Sequence, residues 1–143
     1  MTLDEIHNEW EKDSQIDRTV LDVESLKTPK IQSKYMKYWS HERVSHQKLL
    51  AKLSLLKKEK FEFYLQGPSE EHLEKGWKYP GGKILRADLP VYMESDDDLI
   101  KLNLQIALQQ EKVNLLDQIV RSLNQRSFHI KNAIEFLRWT SGN

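Results

Sequence analysis

The chain has 143 residues, no cysteine and 38% apolar residues, so disulfides and thiolate chemistry are excluded and the core is expected to be modest for its length. No apolar run approaches the ~18 residues of a membrane span, and MTLDEIHNEW is too acidic and polar for a signal peptide, which points to a cytosolic protein. The formal net charge of zero conceals segregation: residues 1–26 carry two basic and eight acidic side chains, whereas residues 27–60 carry ten basic and two acidic. Residues 61–98 hold four basic and nine acidic groups, and 99–143 hold six and three. The basic stretch attracts a polyanion locally even though the whole chain is neutral.

Taken in chain order, Thr2-Leu3-Asp4-Glu5 has the Thr-x-x-Glu form of a capping box and starts a helix to about Asp13. A second helical stretch is expected from about Asp17 to Lys27. Thr28-Pro29 then reads as cap and first residue of a further helix, because proline at that position loses no hydrogen bond, with a mere bend in one helix as the alternative. From Pro29 to Gln66 there is no glycine or proline, and Gly67-Pro68 stops the helix. Along it Tyr35, Trp39, Glu42, His46, Leu49, Leu53, Leu56, Lys60 and Phe63 alternate at spacings of four and three, a coiled-coil period with polar members. Lys30, Lys34, Lys37, His41, Lys48 and Lys58 fall on the opposite, outer face of the same wheel.

Between Gly67 and Asp98 lie four of the five glycines and three of the four prolines, so turns and irregular chain are expected there. Ser69-Glu70-Glu71-His72 starts a short helix ending at Gly76, and Lys83-Ile84-Leu85-Arg86, after the Tyr79-Pro80-Gly81-Gly82 turn, reads as a short strand. Ser95-Asp96-Asp97-Asp98 then caps the last helix. Its repeat runs Leu99, Leu102, Ile106, Gln109, Val113, Leu116, Val120, Leu123, Ser127, Ile130, Ile134 and Leu137 without slipping. Leu104, Leu108, Leu115, Ile119 and Phe128 widen the stripe.

The fold class is therefore mostly α: long amphipathic helices with heptad-like repeats, a small irregular or short β segment in the middle, and assembly as a helical oligomer. Three segments are expected: residues 1–66, 67–95 and 96–143. The lengths favour assembly, since a 38-residue helix spans ~57 Å while a compact chain of this size has a radius of gyration of ~14–15 Å. An intramolecular up-down bundle gives the same spacing. Leu99, Leu102, Ile106, Val113, Leu116, Val120, Leu123, Ile130, Ile134 and Leu137 are the expected oligomerisation residues.

No catalytic constellation and no metal site can be nominated, and no cofactor is implied. His41 and His46 are five apart on a helix and point away from one another, unlike zincin histidines, and Pro80-Gly81-Gly82-Lys83 lacks the spacing of a phosphate loop. The informative run is Leu55-Leu56-Lys57-Lys58-Glu59-Lys60-Phe61-Glu62-Phe63-Tyr64, where lysines precede aromatics. Lysines neutralise phosphates and aromatic faces stack on unpaired bases, a pairing that suits single strands; Phe61 or Phe63 in the core is the plainer alternative. Trp77-Lys78-Tyr79 with Lys83 and Arg86 is a second basic-aromatic cluster, and Trp39 or Trp77 can equally pack in the core.

At these residues the chain resembles the UvsY family of phage recombination mediators. Tyr35 to Trp39, Leu49 through Tyr64 and Gly67, and Gln125-Arg126-Ser127-Phe128-His129-Ile130-Lys131 through Phe136 with Ser141-Gly142 carry the resemblance. Leu3-Asp4, Lys12-Asp13 and Ile16-Asp17 also correspond, and the loop around 67–94 looks longer and different. The resemblance implies single-stranded DNA binding by the basic residues just before the aromatics, with Lys58 and Lys60 in the matching places, and lysine replacing the family's arginine at 60. It further implies a ring-like homo-oligomer, a phage recombinase partner, a phage single-stranded DNA-binding protein partner, and a setting in the host cytoplasm. Lys57, Lys58 and Lys60 lead the expected DNA-binding set, followed by Lys34, Lys37, Arg43, Lys48, Lys52, Phe61 and Tyr64. The alternative is a helical scaffold or adaptor that oligomerises without binding nucleic acid. Membrane-surface binding is disfavoured because Glu42, His46 and Lys60 interrupt the apolar face.

Overall fold

A computed structural model describes residues 1–142, and these described residues form five helices: α1 (Leu3–Asp13), α2 (Leu21–Gln66), α3 (Glu70–Glu74), α4 (Leu89–Glu94) and α5 (Asp97–Thr140). The Thr2/Glu5 capping box is present, with the Glu5 N–H donating to Thr2 Oγ1 at 3.1 Å and the Thr2 N–H to Glu5 Oε2 at 2.8 Å. Gly67, at φ +92°, ends α2 in the left-handed conformation that costs glycine least. Ser69 and His72 cap α3 reciprocally. Asp96 Oδ1 accepts from the Leu99 N–H at 3.0 Å and so opens α5. No described helix is long and apolar enough to cross a membrane.

Two local expectations are corrected and one element is new. The helix does not restart at Pro29: α2 runs through it from Leu21. Packing of both flanks supplies what the proline withholds, since Glu24 and Thr28 on one side and Tyr35 on the other are all buried. Residues 83–86 form no strand; among the described residues none is in a strand, and Ile84 is instead a buried anchor of an irregular loop. Helix α4, Leu-Pro-Val-Tyr-Met-Glu, was not foreseen; Pro90 sits in its first turn, where its missing N–H costs nothing.

By its contacts the chain divides into two units, residues 1–44 with 109–142 and residues 45–108. Each unit takes a stretch of both long helices, so the division differs from the three segments read from the sequence. In the first unit Ile6, Tyr35, Leu116, Ile119 and Leu123 form the core, with Trp10, Ile31, Tyr38, Trp39, Leu115 and Val120 packed against it. Helices α2 and α5 run antiparallel here, joined by side-chain bonds between Gln32 and Asn124, Glu42 and Gln109, and Glu24 and Arg126. In the second unit Phe63, Tyr64, Ile84 and Leu89 form the core, lined by Trp77, Tyr79, Tyr92 and Met93.

Glu42 and Gln109, which interrupt the two apolar repeats, meet one another, and so do Glu24 and Arg126 outside the repeats. Gln109 donates to the Glu42 carbonyl at 2.8 Å and to its carboxylate. Arg126, 5% exposed, donates to the Glu24 carboxylate at 2.7 Å, the Glu24 carbonyl at 3.0 Å and the Thr28 hydroxyl at 3.1 Å. Each match sets register, because a one-turn slip would strand a buried polar group without a partner.

Half of the α5 repeat is covered within the chain, its members divided between the two units. Leu99 and Leu102 are buried in the second unit, and Leu116, Leu123 and Ile130 in the first. Ile106, Val113, Val120 and Ile134 are half-buried, and Leu137 is exposed. A three-four repeat records that a helix is covered, and an antiparallel partner from the same chain covers it as well as a neighbouring subunit does. Besides Leu137, the large apolar side chains that stay exposed on α5 are Ile100, Leu104, Leu108, Phe128, Phe136 and Trp139.

Candidate nucleic-acid interface

The Leu55–Tyr64 run lies on the last turns of α2, in the second unit, and the helix sorts its side chains onto opposite faces. Lys57 and Lys58 are exposed and have no acidic partner among the described residues. Phe61 follows at i+4 and i+3 from them, so the three are surface neighbours, and Phe61 is 41% exposed. This is the arrangement expected of a phosphate-and-base contact. Lys48 and Lys52, one turn apart, are likewise exposed and unpaired.

Lys60 and Tyr64 face the other way, and both leave the contact surface expected of them. Lys60 is 3% exposed; its Nζ lies 3.1 Å from Asp96 Oδ2 and donates to Asp98 Oδ2 at 2.8 Å. The Tyr64 hydroxyl donates to Asp96 Oδ2 at 2.7 Å, and burial together with that carboxylate pushes the phenol far above its ordinary range. Burial alone would raise the Asp96 carboxyl, but the Tyr64 hydroxyl, the Leu99 N–H and Lys60 outweigh it and hold Asp96 below its ordinary value. Asp96 thus ties the end of α2 to the start of α5, and its charge is consumed in doing so. Phe63 is 1% exposed and makes edge contacts with Trp77 and Tyr79, so of the three aromatics after the lysines only Phe61 is outward. Trp77 stacks on His72 with centroids 4.9 Å apart and carries the Lys60 ammonium 3.8 Å from its own centroid, so it is a packing group.

In the first unit Lys34 is also withdrawn. Its Nζ donates to Glu9 Oε1 at 2.9 Å and to Asp13, both on α1, while the Tyr35 and Tyr38 hydroxyls donate to the same two carboxylates. Burial would lower the Lys34 pKa, but the bonds to Asp13 and Glu9 raise it, so the ammonium is locked on. Lys37 is exposed and unpaired, and the Arg43 guanidinium lies over the half-buried Trp39 ring at 4.8 Å. Trp39 Nε1 is buried without a partner, which marks that ring too as packing. The outward set is therefore Lys57, Lys58, Phe61, Lys48 and Lys52 in one unit and Lys37 and Arg43 in the other. Of these the wheel places Lys37, Lys48 and Lys58 outward, together with Lys34, which is not; the acids that claim Lys34 and Lys60 lie 21 to 38 residues away in sequence.

A family model described as "Recombination, repair and ssDNA binding protein UvsY" matches residues 9–143. The chain belongs to the UvsY family. Its fold is that of the bacteriophage T4 recombination mediator protein UvsY, seen in three crystal lattices. The lattice type II structure aligns at a TM-score of 0.83 and 17% identity over 100% of this chain and 99% of that one. Lattice type IV gives 0.79 at 18% identity, over 99% of each chain. Lattice type I gives 0.80 at 17%, over 96% of this chain and 98% of that one. No curated protein matches the chain by sequence. This UvsY-family chain thus keeps the fold while more than four-fifths of its aligned residues differ from the T4 protein.

Proposed function

We propose that this chain is a non-enzymatic recombination mediator, which binds single-stranded DNA and helps load a phage recombinase onto strands covered by a single-stranded DNA-binding protein in the host cytoplasm. The observation that carries this reading is the exposed Lys57, Lys58 and Phe61 face on α2, two unpaired cations beside an accessible ring. Membership of a family described by recombination, repair and single-stranded DNA binding supports it. Lys48, Lys52, Lys37 and Arg43 add weaker phosphate contacts, and Lys60, Lys34 and Tyr64 hold the fold that presents them.

The reading includes a ring-like homo-oligomer, in which basic helices from several subunits act on one strand and multivalency raises affinity without strong individual sites. Exposed Ile100, Leu104, Leu108, Phe128, Phe136 and Trp139 supply apolar area for such an assembly in place of the buried half of the repeat. The test is a recombinase-dependent strand reaction on DNA precoated with the single-stranded DNA-binding protein. The wild-type chain shortens the lag before the reaction, and the double variant K57E/K58E does not. A lag that wild-type protein leaves unchanged contradicts the mediator reading, and assembly without DNA affinity would favour a scaffold.

A further inference from the structure

Two adjoining clefts in the second unit share Lys75, Trp77, Asp98 and Lys101. One extends to Lys52 on α2; the other, of about 310 Å³, extends to Lys78 in the loop after α3. Cations from three separate stretches of chain therefore border one open groove. The charges in it divide sharply by whether they are already used. Asp96 and Asp98 are committed to Lys60, and Lys75 is held by Glu59 at 3.1 Å and Glu71 at 3.6 Å. Lys52, Lys78 and Lys101 are exposed and have no acidic partner among the described residues, leaving three free ammonium groups against the Asp97 carboxylate.

The ligand class follows from what the groove lacks as well as from what it holds. Its one indole, Trp77, already carries His72 in a stack and Lys60 at 3.8 Å, with Lys75 at 5.1 Å, so it offers no platform for a base. Lysines are flexible point charges suited to phosphates rather than to a planar, directional partner. The groove is also open and spread over three elements, which fits an extended polyanion better than a small anion held on all sides.

The geometry points to a second phosphate track on this chain, in which Lys52, Lys78 and Lys101 contact the sugar–phosphate backbone of a single strand independently of its base sequence. This rests on the reading that the chain binds single-stranded DNA, and it extends the contact surface beyond the basic stretch of α2 to the loop and to the start of α5. Lys78 and Lys101 decide it, because neither makes an ion pair whose loss would disturb the fold.

The test compares K78A/K101A with K57A/K58A in full-length protein, by anisotropy of a labelled ~30-nucleotide oligo(dT) across a salt series, where a single strand loses a log–log slope of about 0.7 per phosphate contact removed. The expected result is that K78A/K101A binds more weakly, with a slope shallower by about 0.7 for each lysine removed per bound protomer, at unchanged helical circular dichroism and unchanged mass. Weakening by K57A/K58A alone overturns the second track and leaves the proposed function standing. Unchanged binding by both variants overturns the track together with the reading on which it rests.

Discussion

The Lys60 ammonium lies 3.1 Å from the Asp96 carboxylate with both side chains 4% exposed, so a residue that resembles a phosphate contact in sequence is a buried strut between α2 and α5. Removing one member of such a pair leaves the other charged in a poorly solvated place, which typically costs about 3–5 kcal/mol. Lys60→Ala is expected to lower the urea midpoint by a corresponding amount, while the folded fraction keeps its affinity for a single strand. Normal stability with abolished DNA binding would return Lys60 to the contact surface.

Arg126 is the equivalent strut in the first unit, with three acceptors on α2. Arg126→Ala leaves the buried Glu24 carboxylate beside Lys27 only, and a loss of about 3 kcal/mol or more is expected in chemical denaturation. Arg126→Lys should recover part of it at most, because an ammonium cannot reproduce the fork that spans Glu24 and Thr28.

The same pairs set an acid limit. Asp96 and Asp13 titrate below their ordinary values despite burial, Asp96 through Tyr64, Leu99 and Lys60, and Asp13 through Lys34 and Tyr35. Glu24 does so through Lys27 against burial, with Arg126 adding to it. For a carboxyl whose pKa is lowered by folding, the unfolded chain binds protons first. Stability is therefore fully present above the unfolded value of about 4 and is lost as pH falls through that value towards the folded one. Thermal midpoints are expected to be level with respect to these groups from pH 7 to about 5 and to drop below about 4. Asp96→Asn should flatten the low-pH drop while lowering the midpoint at pH 7; an unaltered pH profile would remove Asp96 from the account.

Pro29 lies inside α2, where proline forfeits a hydrogen bond and crowds the preceding turn at a cost of ~3 kcal/mol in a regular helix. Pro29→Ala is expected to stabilise the fold by about 1–3 kcal/mol, read as a higher urea midpoint. A lower midpoint would show that the proline is structurally required at that point in α2.

What could be read in the sequence was whatever depends on near neighbours. The Thr2/Glu5 box, the stop at Gly67, the Ser69 start of α3 and the Asp96 start of α5 are all contacts across three or four residues. Pro29 misled because its local preference is for a helix start, and burial of α2 on either side overrides it. Helix α4 is too short to show a period. At the interface the basic-aromatic run singled out Lys57, Lys58 and Phe61, but Lys60 and Lys34 are decided by Asp96, Asp98, Glu9 and Asp13, which no spacing rule connects to them. The α5 repeat likewise announces burial without saying what covers it.

Single-stranded DNA binding through the outer face of α2 is tested by anisotropy of a labelled ~30-nucleotide strand titrated with wild-type and K57E/K58E protein at several salt concentrations, beside a duplex of equal length. The account expects tighter binding to the single strand than to the duplex, weakening steeply with salt at about 0.7 in the log–log slope per phosphate neutralised, and a marked loss in the double variant at unchanged helicity and mass. Folded wild-type protein that leaves the strand free at low salt would contradict it.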